Sequence, residues 1–263
     1  FKQKTAYEIR LSLVGSEMCI RDRYYPIASI LSIILIWQLG VWVSSAPSYI
    51  LPAPFDVLVS FIDNWQLILE HTIVTLTEVL LGLFFGVSLG FVTALYLESS
   101  KTAVLFLRPI LIFSQAIPVF ALAPLLTLWL GYGILSKVVM AILIIYFPVT
   151  SSFYDGLTKT PSSFLDLAKT MGSSKRRTLY IIKIPAATPN LFSGIRLAAV
   201  YAPIGATIGE WVGSSQGLGY LMLLANGRVK IDLMFAALLT LGFISIGLYG
   251  LISFILRKLA LRS

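Results

Sequence analysis

Few residues in this sequence have the types and spacing that chemistry needs. Its 263 residues include one histidine, His71, and one cysteine, Cys19. Neither a Cys/His metal cluster nor a disulfide framework can be built from that set. A phosphate-binding loop requires Gly, four residues, then Gly-Lys-Ser/Thr. The nearest approach, Gly172-Ser-Ser-Lys, lacks the second glycine, so no nucleotide site and no bound cofactor are expected. An enzyme would need a nucleophile, an acid/base pair or a metal cluster, and none is present. Two other features carry information. One is a polar, basic stretch, DLAKTMGSSKRRTLYIIKIP, at 166–185. The other is a small set of charges, Glu78, Arg196 and Glu210, inside otherwise apolar runs.

The elements that must position these residues follow from composition. The chain is 57% hydrophobic and 12% charged, with a mean hydropathy of +0.89. A soluble domain of this size cannot hide that much apolar surface, so the solvent is lipid. The net charge of +8 is not gathered on one polar domain, which argues against nucleic acid as a partner. The basic residues stand at the ends of apolar runs, as membrane topology requires.

A helix crossing about 30 Å of hydrocarbon needs about 20 mostly apolar residues. Six such spans are expected in an all-α polytopic membrane protein: 25–44, 72–97, a third within 104–130, then 135–154, 189–212 and 233–256. Pro109, Pro118 and Pro124 interrupt the third. The segment APSYILPAPFD at 46–56 carries three prolines and cannot be regular helix. Residues 55–69 read as a short amphipathic helix lying at the surface. One set of loops holds Lys101, Arg108, Lys159, Lys169, Lys175, Arg176, Arg177, Lys183, Arg257, Lys258 and Arg262; the opposite set holds only Lys137, Arg228 and Lys230. This bias predicts that both termini and the basic stretch are cytoplasmic.

Local signals fold that stretch into a hairpin of two short helices, within a loop of about 156–186. Thr160 is the expected N-cap with Pro161 at the first helical position. Phe164, Leu165, Ala168 and Met171 recur at helical spacing. Gly172 suits a left-handed helix end, and Ser173 or Ser174 can cap the second helix. Pro185 and Pro189 are expected to stop that helix and begin span five. A rigid element of this kind fits the groove of a soluble partner, with Leu165 and Met171 as anchors. A plain basic loop held against lipid headgroups would have no reason to combine these signals.

Within the spans, Gly82, Gly86 and Gly90 share one helix face, as do Gly205, Gly209 and Gly213, and such faces allow close helix packing or sliding. Glu210, beside Trp211 near the outer end of span five, is read as a pathway or gate residue, with pairing to a basic partner as the alternative. Arg196 is expected to snorkel, and Glu78 and His71 to sit at the interface. Ser114 and Gln115, just before Pro118, would line a substrate route at a broken helix.

These motifs resemble a known family. Asp166, Ala168, Gly172, Ile182 and Pro185 match the spacing of the EAA loop of ABC importer permeases, although Asp166, Leu167 and Ile184 depart from its usual residues. WQLGVW (37–42), PSYILPAP (47–54) and GEWVGSSQGLGYLM (209–222) are similar to permeases for sulfonate, taurine, nitrate and thiamin precursors. SQAIPVFALAPLLTLWLGYG (114–133) and GRVKIDLMFAA (227–237) look most like permeases for the hydroxymethylpyrimidine precursor of thiamin. The resemblance implies a homodimer in the bacterial inner membrane, an ATP-binding ABC subunit carrying ATP-Mg, and an extracytoplasmic substrate-binding protein. It also implies that Leu165, Asp166, Ala168, Met171, Gly172, Ile182 and Pro185 couple the permease to the ATPase. Residues 1–23 resemble a translated sequencing adapter and are expected to be dispensable; 24–263 would form one transmembrane domain. A passive channel would need polar rings that are missing. A non-transporting membrane scaffold is the different-class alternative.

Overall fold

The computed structural model describes residues 28–260. The tail 1–23, the start of span one and Arg262 lie outside the described residues. Among the described residues every regular element is helical. They run α1 (Ala28–Ser44), α2 (Pro54–Asp63), α3 (Trp65–Ser99), α4 (Lys101–Ala116), α5 (Val119–Leu130) and α6 (Ile134–Thr158). Then come α7 (Ser162–Thr170), α8 (Lys175–Thr178), a π turn (Leu179–Lys183), α9 (Ile184–Gly213), α10 (Leu218–Gly227) and α11 (Ile231–Ala260).

Four stretches are long and apolar enough to cross a bilayer: α3, α6, Lys175–Gly213 and α11. The pair α4 and α5, bent by 99° at its break, makes a fifth if the two count as one broken span and not as a re-entrant loop. The first expected span is described only in part, as the shorter apolar α1, so among the described residues four or five spans stand beside the six expected. The helix expected over 55–69 is in fact two elements. Asn64 divides them, its backbone N–H and its side chain both donating to the Ser60 carbonyl. Of the three prolines in span three, only Pro118 marks a break; Pro109 and Pro124 lie inside α4 and α5.

Pro185 and Pro189 do not start a separate span. Pro185 occupies the first turn of α9, where its missing N–H costs little. The π turn before it widens the helix, the Ile184 N–H reaching back to the Leu179 carbonyl. The element α10 was not anticipated: its run of small and apolar residues is too short to read as a span.

Helix α6 is the axis of the fold and packs along both α3 and α9. Its Lys137, Ala141, Ile145, Val149 and Phe153 recur every four residues, and all are almost fully buried. The glycines Gly82, Gly86 and Gly90 of α3 face Ala141, Ile145 and Val149 in register. On α9, Gly205 and Gly209 lie against Ala141 and Lys137, while Gly213 meets Thr127 of α5. A Cβ added at Gly205 would stand 2.6 Å from the Ala141 backbone. Small residues are therefore what lets the helices touch without a hydrophobic drive. A second cluster joins α2, α10 and α11 through Val57, Leu221, Leu233 and Ala236. Trp37 of α1 packs on it, its ring 5.5 Å from that of Phe235 and its indole N–H donating to the Pro52 carbonyl at 3.1 Å.

Candidate functional site: a basic hairpin and a buried polar knot

The hairpin is built by its own caps. Helix α7 starts one residue later than expected, with Pro161 as its N-cap; Thr160 turns inward and donates to the Leu157 carbonyl. At its end the Gly172 N–H donates to Lys169 and the Ser173 N–H to Ala168, both at 2.9 Å. This pair of bonds is a Schellman closure, and it requires the left-handed conformation that Gly172 adopts at φ +69°. Ser174 then caps α8, accepting from the Arg177 N–H.

The expected apolar stripe on α7 splits into two faces. Ala168 is buried and Leu165 half-buried against the body of the protein. Phe164, Leu167 and Met171 point outward, with Met171 77% exposed. Leu165, expected on the outward face, is thus turned inward, and Leu167 stands on the open face. Asp166 pairs with Lys169 at 2.9 Å on the surface, a contact that adds little stability. Ile182 is half-buried and Pro185 exposed. The Lys183 ammonium pairs with the Glu98 carboxylate, tying the hairpin to the end of α3.

At the other end of α3 lies a buried polar knot. His71, Thr75 and Glu78 share one face of that helix. Three successive backbone N–H groups at the start of α10 each find a side chain from another helix. Gly217 donates to His71 Nδ1 at 2.9 Å, Leu218 to Thr75 Oγ1 at 2.8 Å, and Gly219 to Glu210 Oε2. Thr75 in turn donates to Glu210 Oε1 at 2.6 Å. Glu210 so caps a helix whose N-terminus favours negative charge. Beside it, Lys137 Nζ donates to the carbonyls of Tyr132, Gly133 and Gly213, and lies within electrostatic reach of Glu78 and Glu210. Glu78, Lys137 and Glu210 are each 1–2% exposed.

The knot revises several expectations. Lys137 is interior and cannot be counted among the loop charges. Glu78 is buried and His71 half-buried, and both face neighbouring helices. Glu210 bonds to α3 and α10, whereas Ser114, Gln115 and Pro118 gather at the elbow between α4 and α5. Ser114 donates to the Leu111 carbonyl, and Gln115 and Pro118 are exposed. Trp211, 41% exposed, lies on the flank of α9. Arg196 is half-buried, with its Nε lacking a hydrogen-bond partner. One signal pointed to Lys137: it is the sole cation in an apolar helix, on the side where two buried carboxylates need one.

Residues 82–262 match the family model described as binding-protein-dependent transport system inner membrane component. The chain belongs to that family. This permease is 51% identical over 89% of its length to a protein named a probable ABC transporter permease in Haemophilus influenzae, covering 95% of it. It is 37% identical to the formylaminopyrimidine transport permease ThiX of Halalkalibacterium halodurans, over 74% of this chain and 78% of that one. The riboflavin transport permease RibX of Chloroflexus aurantiacus is 34% identical, over 88% and 87%. Among solved structures, an inward-facing MetNI methionine ABC transporter matches with a TM-score of 0.66 at 17% identity. It covers 74% of this permease and 97% of that chain, a likeness of fold. The permease is a multi-pass membrane protein, and its relatives are transport subunits, not enzymes.

Proposed function

We propose that this permease is the membrane subunit of an ATP-driven importer, and that its basic hairpin, on the cytoplasmic side, receives a separate ATP-binding subunit. The observation that carries this reading is the open face of Phe164, Leu167 and Met171 on a hairpin closed by Gly172. Three large apolar side chains exposed among polar residues suit the helix-in-groove mode of docking. The excess of basic residues at that end of the spans supports a cytoplasmic position for the hairpin and both termini. Two copies would enclose the translocation route, with the elbow at Ser114, Gln115 and Pro118 on its wall and Glu210 holding the frame behind it.

The cargo we propose is a thiamin-type pyrimidine, delivered by an external binding protein. The likeness to ThiX supports that class, and the likeness to RibX makes riboflavin the second reading. In proteoliposomes holding the permease and its ATP-binding subunit, labelled formylaminopyrimidine should enter only with ATP and a binding protein present. Entry of riboflavin or taurine instead would overturn the cargo. Failure of any ATP-binding subunit to co-purify would overturn the importer.

A further inference from the structure

Behind the hairpin, on the face of α7 opposite its open apolar row, lies a cavity of about 760 Å³. It is lined by Lys169, Lys175, Arg176 and Lys183, with Tyr96 and Tyr180 at its sides. Glu98 is its one acidic lining residue, and it is already engaged by Lys183. Lys169 is engaged by Asp166, while Lys175 and Arg176 form no ion pair among the described residues. The Arg176 guanidinium instead lies over the Tyr180 ring, 6.0 Å from its centroid. The cavity therefore presents a net positive charge with two cations uncommitted.

Its position names the occupant. The cavity stands where the apolar span of α3 ends, and half-exposed tyrosines at such a level mark the headgroup zone of a bilayer. From Tyr96 an exposed row runs back along one face of α3 through Val92, Leu89 and Phe85, each at least 50% exposed. Spacings of four and three keep that row on a single stripe, a track for an acyl chain leading to the cations. We infer that this cavity binds the phosphate headgroup of an anionic phospholipid, with its chain along Phe85, Leu89 and Val92. Basic pockets at the ends of membrane helices are suited to such headgroups. The site is distinct from the outward row of Phe164, Leu167 and Met171, so a lipid behind the hairpin and a protein in front of it are compatible.

Arg177 provides the control, since it adjoins Arg176 in α8 but does not line the cavity. The full chain would be purified from bilayers of phosphatidylcholine with phosphatidylglycerol, and retained lipids counted by native mass spectrometry. Phosphatidylglycerol should be retained in preference to phosphatidylcholine. Lys175→Gln and Arg176→Gln should each weaken retention roughly fivefold, with Arg177→Gln unchanged and millimolar inorganic phosphate unable to displace the lipid. Equal losses in all three variants would reduce the site to general charge attraction and overturn the inference. So would displacement by phosphate, which would make the ligand a free anion. Loss of the lipid from wild type once the ATP-binding subunit is bound would assign the cavity to that protein instead.

Discussion

Around Gly217 three demands meet. Its φ is +107°, its N–H is needed by His71, and a Cβ there would collide with the Glu210 carboxylate. The glycines of the GEWVGSSQGLGYLM segment thus have individual reasons: Gly209 admits Lys137, Gly213 offers it a carbonyl, and Gly219 leaves room for Glu210 and Thr207. Thr75 tests the knot most cleanly, because valine keeps its shape. Thr75→Val would leave the Leu218 N–H and Glu210 Oε1 without their hydroxyl partner, at a cost of about 1–3 kcal/mol. The variant should insert normally and unfold at a lower temperature in detergent; an unchanged midpoint would mean the knot contributes nothing. Glu210 was legible in the sequence as an expensive buried charge. Its partner Thr75 was not, because it lies 135 positions away and the pairing is tertiary.

At the scale of elements, local chemistry was read more reliably than span boundaries. The Schellman turn at Gly172 and the cap at Ser174 follow from residue types that only those conformations favour. The boundary errors have physical causes. Pro185 and Pro189 suggest helix stops, yet Pro185 takes a first-turn position after a π turn and Pro189 lies inside α9. Spacing alone put Gly205 on a face with other small residues, but the helix it would meet had to come from the structure. Gly205→Val should force α9 away from the Ala141 backbone, an overpacking cost of about 1–3 kcal/mol or more. A fall in folded yield and thermal midpoint is the expected outcome. Gly242→Val, at a glycine with open space around it, should be tolerated.

For the whole molecule, the two ends of the helix assembly differ in kind. One end is locked by a buried network that fixes α3, α6, α9 and α10 together. The other carries a charged hairpin rooted by Lys183 and Glu98, with an apolar row facing outward. Family membership was legible because its motifs recur along the chain, while no motif in the sequence carries the chemistry of one cargo. The central claim is that the outward row transmits the work of a separate ATPase, and Met171→Glu tests it most directly. Met171 is exposed and holds no packing contact in the core, so the permease should still fold and insert. In proteoliposomes with the ATP-binding subunit and a binding protein, the account predicts that ATP hydrolysis no longer drives uptake. Wild-type uptake per ATP in that variant would contradict it.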